Sequence, residues 1–357
     1  MAYTTIDDPS KYFQTDLYTG SGSAKTFDGN SDLQLDMVWI KARSTAENAR
    51  LADTSRGIGD GTNETKWLLP AETAEEEQST EFASIASDSF TLNTSDAKLN
   101  SSSHTYVAWA WKCNGGTEET TVTESGNNPG NTRQTNTTAG FSIIKYVGTG
   151  AAGTIAHGLG ATPQFIIHKS RDGGTENWPC YHIGTGNTHA CDLNRDNAKI
   201  DNDSLFNDTS PTSSVFTVNS DSAINEDGDN CIAYAWTPIQ GYSKFGSYTG
   251  NGNTDGIFVY TGFKPSFLLL KKTNSTADWQ IRDNKRDSYN EDSDEILFAD
   301  LADSTTTSTN NIADFLSNGF KLRGTGGDHN EDGGTFVYMA FAENPFVTST
   351  GIPTTAR

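Results

Sequence analysis

The fold of this chain is decided by the stretch YVAWAWK, residues 106–112, because it returns twice in altered form. The later copies are CIAYAW, residues 231–236, and FVYMAF, residues 336–341. In each copy an alanine precedes the last large aromatic residue, which is Trp111, Trp236 or Phe341. Small residues alternating with aromatic ones are typical of a β-strand that packs tightly on one face and presents a broad apolar plate on the other. The sequence therefore predicts three copies of one β unit, each closed by this strand.

Two other landmarks recur in the same order in all three copies. The first is a short strand that breaks into a glycine turn, and it is found at residues 17–22, 145–150 and 247–252. The second is a nearly continuous apolar run that ends in a lysine, and it is found at residues 37–41, 165–169 and 267–271. Such runs indicate strands covered on both faces, and the lysine marks the point where the strand leaves the core. Each copy covers roughly 100 residues, which is too long for a solenoid repeat and about the size of a β-sandwich domain.

We therefore predict an all-β protein of three tandem β-sandwich units with few short helices. The predicted division is an N-terminal arm at 1–16, repeats at 17–112, 141–239 and 240–357, and a polar linker at 113–140. The linker is crowded with Gly, Thr, Asn and Glu and holds one aliphatic residue larger than alanine, Val122, so it buries too little surface to order itself as a domain. The clearest helix signals are residues 71–78 and 311–317.

Charge and composition exclude several classes of partner. The chain of 357 residues carries a formal net charge of -21, and its sequence pI is about 4.5. Nucleic-acid backbones and anionic membranes both attract basic surfaces, so neither is an expected partner. The apolar runs are too short to insert into a membrane, and the first residues lack the basic and apolar regions of a signal peptide. We expect a chain that is made and kept in a cytosol until it is assembled.

Cysteine and histidine form no recognisable site in the sequence. The four cysteines have no CxxC spacing and indicate incidental thiols, with a Cys180–Cys191 disulfide as the alternative; they are Cys113, Cys180, Cys191 and Cys231. Four histidines crowd the second repeat at spacings that match no compact ligand motif; they are His157, His168, His182 and His189. Structural roles are favoured for both sets.

Two acidic turns at matching positions are the strongest candidate for a metal site. They read Asn-Glu-Asp-Gly at residues 225–228 and again at 330–333. Clustered carboxylates beside a glycine turn are ligands that Ca²⁺ takes, so Glu226, Asp227, Glu331 and Asp332 are candidate calcium ligands. The alternative is a plain hairpin turn, because Asp-Gly is common in tight turns. The turn is the favoured interpretation.

Two tryptophans are the candidate binding residues. Trp178 and Trp279 follow the lysine-ended strands of the second and third repeats, where a ring in an exposed loop stacks readily on a sugar face. Trp67 is the first repeat's aromatic residue in this interpretation, placed later in a longer loop. The alternative for each ring is a cap on the core. No nucleophile elbow, phosphate loop or dinucleotide fingerprint occurs in a supporting context, so no catalytic residue is assigned and the prediction is a non-enzymatic protein.

Several phrases of the sequence resemble structural proteins of tailed bacteriophages, notably those that infect marine bacteria and cyanobacteria. They are MAYTTIDDPS at residues 1–10, FQT at 13–15, LYTG at 17–20, GNSDLQ at 29–34, VWIK at 38–41, YVAWAWK at 106–112 and HGLG at 157–160 with Pro163. The resemblance covers nearly the whole chain. It implies a virion component built of lectin-like, jelly-roll β-sandwich units in the tail, its fibres or the particle's outer surface. It carries no catalytic motif, so no active-site residue is transferred.

The functional expectation is a virion structural protein, most simply an external tail or tail-fibre component that contributes to host attachment. Expected partners are other virion proteins, further copies of the same chain in a homo-oligomer and, as a candidate, a host surface glycan. The first alternative is a capsid-surface decoration protein. The second is a depolymerase that cuts surface polysaccharide, for which the sequence supplies no identifiable carboxylate pair.

Overall fold

The structure is a computed structural model that describes residues 2–28, 33–58, 64–85, 89–118, 120–286 and 295–354. It confirms the all-β class, because the described residues contain 28 strands and three α-helices of one turn each. Within these ranges no helix is long and apolar enough to cross a membrane. The helices are α1 (Asp203–Phe206), α2 (Ser222–Asn225) and α3 (Gly327–Asn330), and a 3-10 turn covers Pro9–Lys11.

The strands follow the three predicted copies along the chain. The first copy contains β1 (Phe13–Thr19), β2 (Lys25–Asp28), β3 (Met37–Ala42), β4 (Arg50–Asp53), β5 (Thr65–Trp67), β6 (Glu77–Ser79), β7 (Phe82–Ile85), β8 (Ser89–Leu92) and β9 (Thr105–Trp111). The segment that follows contains β10 (Thr120–Val122) and β11 (Asn131–Asn136). The second copy contains β12 (Phe141–Val147), β13 (Gly153–Ala156), β14 (Phe165–Ser170), β15 (Pro179–His182), β16 (Gly186–Asp192), β17 (Ile200–Asp201), β18 (Val215–Val218) and β19 (Asn230–Trp236). The third copy contains β20 (Ser243–Thr249), β21 (Phe258–Tyr260), β22 (Phe263–Lys272), β23 (Gln280–Asp283), β24 (Glu295–Phe298), β25 (Thr306–Thr307), β26 (Ala313–Leu316), β27 (Gly319–Leu322) and β28 (Thr335–Pro345).

Each repeat builds one large sheet in which the closing strand lies between the opening strand and the lysine-ended strand. The orders are β1-β9-β3-β4 in the first repeat, β12-β19-β14-β15 within the second and β20-β28-β22-β23 within the third. A smaller sheet belongs to each repeat: β2-β8-β7, β13-β18 and β21-β27-β26. The register confirms the sequence alignment, because Trp111 lies opposite Met37, Trp236 opposite Phe165 and Phe341 opposite Phe267.

The alternating pattern of the closing strands sends their side chains into two different cores. Val107, Trp109 and Trp111 of β9 lie in one large cluster together with the equivalent Trp236 and Phe341 of the other two repeats. The alanines between them face the smaller sheet of their own repeat. There they belong to three separate hydrophobic clusters, one in each repeat. Both faces of every large sheet are therefore buried, as the apolar runs predicted.

The shared cluster joins the three repeats into one body. In it, the ring centroids of Trp111 and Trp236 are 6.4 Å apart, and those of Trp111 and Phe341 are 5.8 Å apart. Three equivalent positions thus meet at the centre, which gives the chain an approximate threefold arrangement. The three tandem units of the prediction share one core, because no repeat buries both faces of its large sheet without the other two. The finer assignment to jelly rolls stays a prediction.

The segment predicted to be a linker contains β10 and β11, which extend the large sheet of the second repeat. β11 pairs with β12 over its whole length, from Asn131 opposite Tyr146 to Asn136 opposite Phe141. Counting apolar residues does not reveal β11. This strand is held in place by backbone pairing with β12 and by the buried side-chain amide of Gln134.

The N-terminal arm packs on the third repeat. The Tyr3 hydroxyl donates to the Gly262 carbonyl at 2.6 Å, and the Tyr12 ring meets the Tyr242 ring at 6.0 Å. β1 begins at Phe13, so the last residues of the predicted arm belong to the sheet.

Both predicted helices are wrong. Residues 71–78 end in β6, and residues 311–317 contain β26, which forms a hairpin with β27. Tertiary contacts override the local helix propensity in both places. Glu76 illustrates this, because its carboxylate is held by Arg56 at 3.2 Å and by Arg171 of the second repeat at 2.8 Å.

Candidate functional site

The three boundaries between the repeats concentrate the buried polar groups of the molecule. We call them the 1–2, 2–3 and 1–3 boundaries after the repeats that meet there. The lysines that end the central strands serve one boundary each, and all three are fully buried: Lys41, Lys169 and Lys271. Each ammonium donates to a carbonyl of its own repeat and to one of the neighbouring repeat, so the three contacts run around the molecule in a cycle.

The acceptors of these lysines occupy equivalent loops. Lys169 Nζ donates to Glu176 O at 2.7 Å in its own repeat and to Thr73 O at 2.9 Å across the 1–2 boundary. Lys271 Nζ donates to Asp196 O at 2.7 Å across the 2–3 boundary, and Lys41 Nζ donates to Leu301 O at 2.6 Å across the 1–3 boundary. The sequence prediction that the lysine marks the exit from the core is thus corrected, because the ammonium itself is inside.

Burial shifts the pKa of each of these lysines downward. Removal from water lowers the pKa of Lys41 to about 8, against the opposing effect of Asp303 and Asp300. The same cause lowers the pKa of Lys169 to about 8, against Glu176, and it lowers that of Lys271. Their carbonyl partners compensate part of the cost of burying the charge.

A second equivalent set of contacts lies deeper, at the ends of β4, β15 and β23. At the 1–2 boundary, Asp53 forms a fully buried ion pair with Arg56 at 2.5 Å and accepts the Tyr234 hydroxyl at 2.7 Å. At the 1–3 boundary, Asp283 pairs with Arg286 at 2.6 Å and accepts the Trp109 indole N–H at 3.1 Å. The Asp-x-x-Arg spacing was present in the sequence at both places, and sequence reasoning missed it.

The 2–3 boundary replaces this set with neutral groups. His182 occupies the position of the aspartate, and its Nε2 lies 3.0 Å from the Tyr338 carbonyl oxygen. Its Nδ1 accepts the Gly184 N–H at 2.9 Å, which makes Nε2 the donor. Burial lowers the pKa of His182 to about 4, so the ring is neutral near pH 7. The equivalent of Trp109 and Tyr234 here is Met339, which has no proton to donate.

The two predicted binding tryptophans are buried at these boundaries and are not exposed. Trp178 and Trp279 are 0% and 2% exposed. The Trp178 indole donates to Glu72 O at 2.9 Å, and that of Trp279 donates to Asp192 O at 2.8 Å. Each acceptor belongs to the preceding repeat, which covers the ring and leaves no face for a sugar. The expectation of exposed rings is therefore wrong, and the core cap describes both.

The first repeat has no tryptophan at this position. The equivalent residue is Ala49, which directly precedes β4. It belongs to the shared core cluster, as do Trp178 and Trp279. Trp67 lies instead between the sheets of its own repeat and donates to Ser79 Oγ at 2.8 Å.

The two acidic turns lie at the glycine-turn end of the molecule. Glu226, Asp227, Glu331 and Asp332 are all exposed. Glu331 pairs with Lys272 at 2.6 Å. In the described part of the chain, no group of three or more His, Cys, Asp or Glu side chains is placed to hold a metal ion. Calcium binding by these carboxylates stays a prediction.

The asparagine that begins each acidic turn has a structural role that sequence reasoning missed. Asn225 and Asn330 are fully buried, as is Asn100 at the same position of the first repeat. Their side-chain oxygens accept the backbone N–H of Thr149, Asn251 and Ser21 at 2.9, 3.1 and 2.9 Å. Each amide thus joins the closing strand's turn to the opening glycine turn. The signal was available, because the three asparagines precede Trp111, Trp236 and Phe341 at the same distance.

The remaining candidates are the cysteines and histidines, which form no metal-binding cluster in the described part of the chain. All four cysteines are buried thiols that form no disulfide bond. Cys180 and Cys191 lie opposite each other on β15 and β16. His168 lies between the sheets of the second repeat, beside Phe206 and Phe216.

Two carboxylates near Lys271 have perturbed acidity. Burial raises the pKa of Asp192 to about 6, and burial together with Asp278 raises that of Asp300. Asp300 accepts the Trp279 backbone N–H at 3.0 Å, so it helps to hold this strand at the 2–3 boundary. Shifted pKa values also occur in catalytic sites, but here the Asp300 carboxylate binds the Trp279 backbone, and the Asp192 backbone carbonyl accepts the Trp279 indole N–H.

Comparison with known proteins places the boundaries inside one family domain. Residues 8–345 match a family model described as "Domain of unknown function (DUF7483)". The chain belongs to this family. No curated protein matches the chain. The match runs from the N-terminal arm to the end of β28, so the strands of all three repeats and the boundaries between them lie inside the matched region.

The 1–3 boundary carries an open groove. Its volume is about 160 Å³, and it lies between β1 of the first repeat and the ends of β22, β23 and β28 of the third. Its walls include Gln14, Thr15, Asn284, Lys285 and Glu343. The chemistry of this groove is polar and of mixed charge.

Proposed function

We propose that this protein is a non-enzymatic structural component on the outside of a tailed bacteriophage particle, in the first instance an external tail or tail-fibre component that contributes to host attachment. The observation that supports this best is the use of the buried ionisable groups. Three buried lysines donate hydrogen bonds across the repeat boundaries: Lys41, Lys169 and Lys271. The two buried Asp-Arg pairs lie at these boundaries as well. Together these groups hold the three repeats in one arrangement.

Buried polar contacts between the repeats suit a mechanical role. Buried ion pairs add little net stability, but removing one partner is costly, so they restrict the repeats to one relative arrangement. A rigid core leaves the polar loops on the outside, where binding to other virion proteins or to a host surface takes place. The phage assignment itself rests on the sequence resemblance given above.

A capsid-surface decoration protein is the second candidate, and the approximate threefold arrangement favours it. Three equivalent glycine turns and closing-strand turns lie at the ends of the three large sheets. A body of this form fits a position where three copies of another protein meet around a symmetry axis. A trimeric tail structure offers positions of the same symmetry, and the copy number in particles separates the two candidates.

The homo-oligomer and the host glycan remain parts of the proposal. The N-terminal arm packs on the third repeat of its own chain, and both tryptophans assigned to a glycan are covered. Either partner would therefore have to use other surfaces of the molecule.

The deciding experiment is the copy number and position of the chain in purified particles. Quantitative mass spectrometry gives the number, and labelled termini seen by electron microscopy give the position. A few to a few tens of copies on the tail support the leading proposal, and hundreds over the head support decoration. Absence from washed particles would refute both. Release of oligosaccharide from host envelope material by the purified chain would revive the depolymerase.

A further inference from the structure

At the groove of the 1–3 boundary, the described residues depart from the threefold arrangement. At the 1–2 boundary the equivalent position holds β11, a strand added beside β12. There the Gln134 side chain is fully buried, and its Nε2 donates to Thr54 Oγ1 at 2.9 Å and to Ser55 Oγ at 2.6 Å. Its Oε1 accepts the Gly116 N–H at 3.0 Å.

The 2–3 boundary is closed in another way. Gly184 stands at the position of Ser55, and a Cβ built on it would lie 2.9 Å from Ser247 Cβ and 2.9 Å from Val337 Cγ1. This approach brings the loop after β15 directly against β20, so no strand has room to enter.

At the 1–3 boundary neither solution is present among the described residues. Asn284 and Lys285 stand at the positions of Thr54 and Ser55, and Thr15 of β1 stands at the position of Ile143, the residue opposite Gln134. β1 is the outermost strand of its sheet in the described part of the chain. The groove between these residues is open.

Two buried polar atoms in the groove have no hydrogen-bond partner in the described structure. They are Thr15 Oγ1 and Asn284 Oδ1. Thr15 is 6% exposed, so its hydroxyl is withdrawn from bulk water. Buried polar groups are nearly always satisfied, so a hydrogen-bonding side chain that reached these two oxygens would stabilise the groove.

We propose that this groove binds an extended segment of another protein, which adds a strand beside β1 and inserts a glutamine or asparagine side chain between Thr15 and Asn284. The internal precedent defines the occupant: β11 is a polar strand of sequence NTRQTN whose amide does the same at the 1–2 boundary. A primary amide offers two N–H donors and one acceptor, which suits the carbonyl oxygen of Asn284 and the hydroxyl of Thr15. Strand addition supplies the remaining affinity through main-chain hydrogen bonds. The inference does not depend on the proposed virion role.

The test uses the full-length protein and a fluorescein-labelled peptide with the sequence of residues 129–138, PGNTRQTNTT. We expect saturable binding by fluorescence anisotropy, with a Kd below about 1 mM. A peptide with leucine in place of the glutamine should bind about tenfold more weakly, because it leaves both orphaned atoms unsatisfied. In hydrogen exchange, the peptide should slow the amides of residues 13–19 and leave those of 243–249 unchanged.

Two protein variants locate the binding. Lys285→Trp changes an exposed residue at the groove and should abolish binding by filling it, without disturbing the core. Ile183→Trp is the matched control, because Ile183 is the exposed residue at the position of Asn284 on the closed 2–3 boundary; it should bind the peptide like the wild type. No saturation up to about 1 mM, equal binding of the leucine peptide, or full binding by Lys285→Trp would each overturn the proposal.

Discussion

The 1–2 and 2–3 boundaries solve the same packing problem with different chemistry. At the first, a buried aspartate is neutralised by Arg56 and accepts a hydroxyl from Tyr234. At the second, a neutral histidine donates to a backbone carbonyl, and the aromatic donor is replaced by Met339. The difference teaches that a buried charge is kept only where its whole set of partners is present. The 1–3 boundary repeats the charged set with Asp283, Arg286 and Trp109.

Removing the aspartate should have the largest effect. Asp53→Ala leaves the Arg56 guanidinium buried without its closest counter-charge and the Tyr234 hydroxyl without its acceptor. We expect the free energy of unfolding to fall by about 3–5 kcal/mol. Urea unfolding followed by tryptophan fluorescence measures this. His182→Ala is the matched change at the neutral boundary and should cost about 1–3 kcal/mol. Equal losses in the two variants would contradict the comparison.

The cyclic lysines should give the next largest effect, and a similar one at each boundary. Lys169→Met keeps the apolar stem but leaves the carbonyls of Glu176 and Thr73 without their donor, so we expect a loss of about 2 kcal/mol. Lys41→Met and Lys271→Met should agree with it within about 1 kcal/mol, because their ammonium groups make equivalent contacts. The same urea assay measures all three variants. If one of them kept the wild-type free energy of unfolding, the contact of that lysine across its boundary would be absent.

His168 allows the second repeat to be compared with the other two, and here we predict a gain. Its ring is fully buried, and neither nitrogen has a partner in the described structure, whereas the equivalent residues are Ile40 and Leu270. His168→Leu should stabilise the protein by about 1–2 kcal/mol at pH 8.

The gain should depend on pH in a defined direction. Burial lowers the pKa of His168 to about 3, so the folded state resists a proton that the unfolded state accepts below its ordinary pKa of about 6.5. The wild type therefore loses stability as the pH falls from about 6.5 towards 3, and the variant lacks this loss. At pH 5 its advantage should be about 2 kcal/mol larger than at pH 8. An advantage that does not change with pH would mean that the ring is solvated.

The smallest effect should separate the closed boundary from the open one. Gly184→Ala places a methyl group against Ser247 and Val337 and should cost about 1 kcal/mol. Lys285→Ala, at the equivalent position beside the groove, should change stability by less than about 0.5 kcal/mol. Thermal unfolding of both variants beside the wild type resolves the difference. A larger loss of stability for Lys285→Ala than for Gly184→Ala would contradict the assignment of the groove to the 1–3 boundary.

The local pattern of the sequence predicted the strands but not what covers them. The alternation around Trp111 and its recurrence at Trp236 and Phe341 revealed the class, the closing strands and their two-faced packing. It did not show that the three large sheets pack against one another in a shared core. That packing depends on contacts between residues more than 100 positions apart along the chain. Trp178 was misplaced for the same reason: the segment that covers it, at Glu72, belongs to another repeat.

The missed polar contacts have a related cause. Asp53 and Asp283 resemble surface residues in a polar segment until the aromatic donors from a neighbouring repeat are placed beside them. β11 was missed because its stability comes from a backbone ladder and one amide rather than from apolar side chains. The groove at the 1–3 boundary was inaccessible to sequence reasoning, since it is defined by comparison of three boundaries.

Small-angle X-ray scattering of the purified chain tests the central claim most directly, because a shared core requires the three repeats to surround one centre. A compact body of this length has a radius of gyration of about 21 Å. Three separate units in series would give about 30 Å. We predict the smaller value, with a distance distribution that has a single maximum. A value near 30 Å would contradict the shared core and return the chain to three independent domains.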